Sequence, residues 1–150
     1  MQLTKQANYA LRTLVYCAVN APQQSRISAI AHAYDISELS LFKFIKPLVD
    51  NGLLQTVRGR NGGVRLGRAA SDITMREVIE LTEDGFALAE CFEDGTTNCP
   101  LVGSCEVNTA LAEALRAFLA VLEKYTIEDL ARRDRTLRDL LGIEILTPAG

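Results

Sequence analysis

The chain of 150 residues holds a single histidine, His32, and no apolar run approaching the ~20 residues needed to span a bilayer. No His/Asp/Ser constellation suggests catalysis, and no flavin or nucleotide fingerprint is present. Nothing in these residues points to an enzyme. The opening Met1-Gln2-Leu3-Thr4-Lys5-Gln6 lacks the apolar stretch of a secretory leader, and internal repeats and low-complexity segments are missing. The expectation is a soluble cytoplasmic protein in which thiols stay reduced. A hydrophobic fraction of 48% and a charged fraction of 23% are ordinary for a folded protein. The length suits one domain, or a small domain with an oligomerisation arm.

What the sequence does have is three cysteines close together. Cys91, Cys99 and Cys105 are spaced Cys-x₇-Cys-x₅-Cys, and the residues between them (Glu93 to Asn98, then Pro100 and Gly103) are those of a loop. Three thiols cannot all pair as disulfides, so the cluster points first to metal binding. Zinc usually takes four ligands with close Cys-x₂₋₄-Cys pairs, and no fourth cysteine lies nearby. An iron–sulfur centre with one exchangeable position fits this inventory better than a closed zinc site. Three reduced structural cysteines are the plain alternative. Cys17, inside an apolar helical pattern, is assigned to packing, and His32 to a structural or solvated helix position.

The net charge of −3 hides an asymmetry. Residues 1–70 carry nine Lys/Arg against three Asp/Glu, a net of +6, and residues 71–150 carry seven against sixteen, a net of −9. Contact with a polyanion is therefore expected in the first half alone. That half reads as a helix-turn-helix. Thr4 caps a first helix to about Asn20, with Ala7, Ala10, Leu11, Leu14, Val15 and Ala18 at helical spacing. Ser28 is expected to cap a second helix, Ala29 to Tyr34, and Asp35-Ile36 makes the turn. Ser37 caps a third helix to about Asn51, ended by Gly52, with Pro47 expected to disturb it. Leu39, Phe42, Ile45, Leu48 and Val49 are expected to supply its apolar contact. Ser37, Ser40, Lys43 and Lys46 can share its exposed face, as base- and phosphate-contacting residues of a recognition helix do.

Two β-prone runs, Leu53 to Arg58 and Val64 to Gly67, flank Gly59-Arg60-Asn61-Gly62-Gly63, a hairpin signal. A hairpin directly after a helix-turn-helix is a wing. Arg58, Arg60, Arg65 and Arg68 crowd around its Asn61-Gly62-Gly63 turn, with Asn61 among the candidate DNA contacts; such arginines suit phosphate forks and the minor groove. A fourth helix follows to about Glu83. From Cys105 a long amphipathic helix runs to about Tyr125, with a stripe of Val107, Leu111, Leu115, Phe118, Leu119 and Leu122. Packing against a two-fold mate would cover that stripe; folding back onto its own domain is the alternative. Thr126 caps a short helix to Arg133, and a last helix covers about Arg135 to Leu141. The fold class is thus mainly α with a small β wing. Residues 1–83 form a winged helix-turn-helix DNA-binding domain, 84–104 a cluster-binding loop, and 105–150 a dimerisation helix with C-terminal helices.

The opening Met1-Gln2-Leu3-Thr4 with Asn8-Tyr9-Ala10-Leu11-Arg12, the wing from Val57 to Gly67 and the three-cysteine loop together resemble the Rrf2 family of winged-helix regulators, over nearly the whole chain. The segments Ala89 to Asp94 and Cys99-Pro100-Leu101-Val102 with Ser104-Cys105 are most similar to its rhizobial iron regulators. The resemblance implies a homodimeric repressor that binds double-stranded operator DNA. It also implies one iron–sulfur cluster per subunit, of 4Fe–4S type, held by Cys91, Cys99 and Cys105. Some relatives carry a histidine three residues after the last cysteine, where this chain has Asn108. Others use an aspartate in the first helix, where it has Asn8. A neutral amide is a poor donor to iron, so the fourth iron position is expected to be open and the cluster labile. Iron supply is the expected signal, with nitric oxide as the alternative and a zinc-stabilised DNA-binding module behind both.

Overall fold

The computed structural model describes residues 2–89, 92, 99–101 and 104–144. Helix α1, Lys5–Asn20, starts where expected: the Thr4 hydroxyl accepts the Ala7 N–H at 3.2 Å. Its buried residues Ala7, Ala10, Leu14 and Cys17 recur at three- and four-residue intervals and turn one face inward. Helix α2, Ile27–Tyr34, begins two residues before the expected start. Arg26 occupies the cap position without a side-chain bond, and Ser28 lies in the first turn instead of capping it. Asp35 ends α2 in the left-handed region (φ 52°), where a short polar side chain is tolerated.

Helix α3, Glu38–Asp50, is capped by Ser37, whose hydroxyl accepts the Ser40 N–H at 3.2 Å. It runs through Pro47 unbroken, contrary to the expected disturbance. Proline removes the bond to the Lys43 carbonyl, but Lys43 lies on the exposed face, where water can replace it. The end is closed by Asn51, which donates its backbone and side-chain N–H groups to the Pro47 carbonyl at 3.1 and 2.9 Å. Gly52 follows at φ 72°, and the Leu53 N–H returns to the Leu48 carbonyl at 2.9 Å. The buried face of α3 is Leu41, Phe44, Ile45 and Leu48. Leu39 and Phe42, expected to pack inward, are 78% and 54% exposed.

The wing is an antiparallel pair, β1 (Leu54–Val57) and β2 (Gly63–Leu66), in the register Leu54↔Leu66 to Val57↔Gly63. Its inner residues Leu54 and Val64 enter the core. β2 is also held from its other side: the Ser25 N–H donates to the Val64 carbonyl (2.7 Å), and the Val64 N–H to the Ser25 carbonyl (2.8 Å). Glycine at 63 makes this approach possible, because a Cβ there would lie 2.3 Å from the Ser25 carbonyl oxygen.

Helix α4, Met75–Thr82, is capped by Thr74. Helix α5, Glu106–Glu123, packs on α4, and helices α6, Ile127–Ala131, and α7, Asp134–Leu141, pack on α1. The core of Leu14, Ile30, Leu41, Phe44, Leu48, Leu53, Ile73 and Val78 therefore also includes Ile127 and Ile143. Burying each such large side chain contributes roughly 1.5–3 kcal/mol. The C-terminal helices are pinned by the Met75 N–H to the Tyr125 carbonyl (2.8 Å), the Ile127 N–H to the Ile73 carbonyl (2.9 Å), and Arg138 donating to the Val19 carbonyl. Among the described residues no helix is long and apolar enough to cross a membrane.

Candidate functional site

Two surfaces collect the residues with chemistry to offer. The first is the outer face of α3 together with the wing. Ser37 and Ser40 stand side by side at the start of α3, their hydroxyl oxygens 2.7 Å apart. Lys43 and Lys46 follow on the exposed side, and Lys46 pairs with Asp50 one turn later. That exposed pair is loosely held, since surface ion pairs contribute ~0–1 kcal/mol. Arg58 and Arg60 sit exposed at the turn end of the wing; Arg65 projects from β2 and donates from Nε to the Gln55 side chain at 3.0 Å. Arg68 belongs elsewhere: it pairs with Glu77 of α4 and leaves the cluster of wing arginines.

Asn61 is less available than its turn position suggests. Its side-chain oxygen accepts from Arg26 Nη2 at 3.1 Å, and its backbone carbonyl accepts from the Gln24 side chain. Asn61 thus fastens the wing tip to the segment before α2. Arg26 and Gln24 are residues that reading the sequence missed. They lie 35 and 37 positions from Asn61, and no local pattern marks them. With Pro22, Val57, Asn61 and Arg65 they line an open cleft beside the wing, which adds Arg26 to the basic surface.

The second surface concerns the thiols. Cys91 lies outside the described residues. Cys99 is exposed, and Cys105 is half-buried at the start of α5, where its sulfur accepts the Asn108 N–H at 3.4 Å. Both are free thiols. Cys105 is thus the cap of an 18-residue helix, and its sulfur is fixed relative to that helix. Cys17 is different. It is 1% exposed inside the core, and burial pushes its thiol up to about 12, only partly offset by a hydrogen bond with Ser25. A thiol that stays protonated is a poor metal ligand.

The segment leading to the cysteines is joined to the start of α1. Glu83 Oε1 accepts from the Thr4 backbone N–H (2.7 Å) and the Thr4 hydroxyl (2.9 Å). Leu3, Glu83, Phe86, Leu88 and Phe118 line a small cavity of about 170 Å³ at the same place, so the residues just before α1, the segment after α4 and α5 meet there. Asn8, one turn into α1, is exposed on this helix, and Asn108 is half-buried in the first turn of α5.

A helix-turn-helix followed by a pinned, arginine-bearing hairpin defines the winged-helix class. The profile of the Rrf2 family, described as an iron-dependent transcriptional regulator, matches residues 3–133, and the chain belongs to this family. It is 58% identical over 144 residues to Protein aau3 of Rhizobium meliloti strain 1021, covering 96% of this chain and 94% of that one. It is 42% identical over 145 residues to the HTH-type transcriptional regulator NsrR of Bacillus subtilis strain 168, covering 96% and 99%. Among solved structures it is similar to CymR, the global cysteine regulator of B. subtilis, with a TM-score of 0.70 and 26% identity over 88% of this chain and 97% of that one. The fold is shared with T. potens IscR at a TM-score of 0.67 and 20% identity, covering 98% and 93%. The chain is a transcriptional regulator of the Rrf2 family, mainly helical with a two-stranded wing, and its relatives are regulators, not enzymes.

Proposed function

We propose that this regulator is a cytoplasmic, homodimeric, iron-responsive repressor of the RirA type, whose operator-binding form carries an iron–sulfur cluster on Cys91, Cys99 and Cys105. The observation that carries this reading is the position of Cys105. It caps α5, α5 packs on α4, and α4 belongs to the winged-helix core. The donor set fits the group: three soft thiol ligands in one segment, with Cys17 kept out by burial. A bound cluster would supply a redox- and iron-sensitive crosslink. With Cys105 tied to Cys91 and Cys99, the N-terminus of α5 is fixed relative to the segment that Glu83 anchors on Thr4. With the thiols released, the start of α5 would lose that tie and be held only by its packing on α4, and the spacing of the two recognition helices in a dimer would be less firmly set. A coupling of about 1–3 kcal/mol is sufficient for such a switch.

Ser37, Ser40, Lys43 and Lys46 on α3 and Arg58, Arg60, Asn61 and Arg65 on the wing are the DNA contacts in this reading, with Arg26 added. The test is native mass spectrometry of anaerobically purified protein, with DNA binding measured before and after iron chelation. A dimer with one cluster per subunit that loses operator affinity on chelation is the expected result. A colourless protein carrying zinc, or one whose binding ignores chelation, sinks the reading. The similarity to NsrR proteins favours a second reading, a nitric-oxide sensor. Faster release from DNA by nitric oxide than by chelation would select it.

A further inference from the structure

The exposed face of α3 is not uniformly polar. Residues 39, 42, 43 and 46 follow the i, i+3, i+4, i+7 spacing of one helix face, opposite the buried Leu41, Phe44, Ile45 and Leu48. On that face Leu39 is 78% and Phe42 54% exposed, in the N-terminal half of the helix and flanked by Lys43 and Lys46. Two large apolar side chains left in water beside two lysines call for an occupant that is both apolar and anionic. Duplex DNA meets that description in its major groove. Its phosphates are anionic, and the thymine C5-methyl is the apolar group displayed on the base edges there. The exposed wing residues Arg58, Arg60 and Arg65 add further positive charge to the same half of the chain. Glu38, exposed in the first turn, and Asp50 at the far end, in a loose surface pair with Lys46, are the acidic groups on α3.

We infer that Leu39 and Phe42 are specificity-determining residues that read thymine methyl groups in the major groove, so that this regulator selects sites by apolar contact as well as by hydrogen bonds. The inference rests on the DNA-contacting role proposed for α3 and names what that face recognises. The residues at the N-terminal half of a recognition helix are those that reach base edges.

The experiment uses the anaerobically purified full chain and a randomised duplex library, from which bound sequences are selected. Each thymine of the selected site is then replaced by deoxyuridine, which removes only the methyl, and affinity is measured by fluorescence anisotropy. At least one thymine per half-site should show about a fourfold loss, the worth of burying one methyl-sized group. Phe42→Ala and Leu39→Ala should each bind the thymine duplex more weakly and no longer distinguish uracil at their own position. Lys43→Ala should bind more weakly yet keep the discrimination. A parent protein that enriches a sequence but tolerates uracil at every position overturns methyl reading and leaves the DNA-binding role standing. Failure to enrich any sequence overturns both. If Leu39→Ala or Phe42→Ala instead abolishes self-association in sedimentation while uracil has no effect, the face belongs to a second copy of the chain and the inference is wrong.

Discussion

The same functional group occupies opposite settings at Cys17 and Cys105. Cys17 lies in the core beside Tyr16 and Tyr34, and its thiol is held up to about 12 chiefly by burial. Cys105 sits at a helix start with its sulfur oriented by the Asn108 N–H. Cys99→Ala and Cys105→Ala should therefore abolish stable visible cluster absorbance after anaerobic reconstitution, whereas Cys17→Ala should retain it. Retention by Cys99→Ala together with loss by Cys17→Ala would reverse the ligand assignment. Cys17 also sets a pH limit. A thiol whose pKa is raised from 9.0 to about 12 on folding contributes stability that is intact below pH 9 and lost as pH rises towards 12. Tyr34, raised from 10.0 to about 12 mainly by burial, acts in the same direction about one unit later. Urea midpoints should thus be flat in these groups up to pH 9 and fall above it. Cys17→Ala should start about 1 kcal/mol lower from lost packing but fall less steeply between pH 9 and 10. Parallel pH profiles for the two proteins would show that the buried thiol is not responsible.

At the scale of elements, the wing is as much a product of Ser25 as of its own hairpin. Gly63→Ala places a Cβ within 2.3 Å of the Ser25 carbonyl oxygen, a clash with backbone that must open the Ser25–Val64 bridge. The expected result is a loss of at least 1–3 kcal/mol in denaturant titration, with DNA binding reduced even at low salt. Arg60→Ala should leave stability within about 0.5 kcal/mol and lower affinity with a flatter salt dependence, because each phosphate contact removed takes about 0.9 from the slope of log K against log salt. Arg26→Ala should do the same if the cleft beside the wing follows the backbone; an unchanged slope would confine Arg26 to fastening Asn61. The hairpin was legible from its turn residues, and α1 and α3 from their caps and periodicity. The bridge to Ser25 was not, because it joins residues 39 positions apart. The facing of α3 was misread for a different reason. Apolar residues at 39, 41, 42, 44, 45, 48 and 49 satisfy helical spacing along two stripes, and spacing alone cannot say which one is buried. Burial chose Leu41, Phe44, Ile45 and Leu48.

For the whole molecule, the C-terminal helices and α5 have different roles. Helices α6 and α7 complete the core through Ile127 and Ile143. Of helix α5 only Leu122 is buried; Leu111, Leu115, Phe118 and Leu119 are half-covered, and Val107 is 66% exposed. Helical spacing in the sequence reveals this stripe, but what covers it depends on the assembly, which one chain cannot encode locally. Leu115→Asp should convert the proposed dimer to a monomer in sedimentation and weaken operator binding, while the urea midpoint of the subunit core falls by less than for a core substitution. A parent protein that sediments as a monomer would show that the stripe has another use.

The burial of Cys17 also provides a clock. Alkylating reagents act on thiolates, and a core thiol whose pKa stands near 12 gives them almost none at neutral pH. Cys99, exposed in the folded chain, should be labelled at once when no cluster holds it. Cys17 is labelled only when the packing of α1 opens. In a protein without tryptophan, the mass increment at Cys17 after a short pulse of reagent measures how often the core around α1 opens. It does so in crude extracts as readily as in purified samples, with no label built into the protein beforehand.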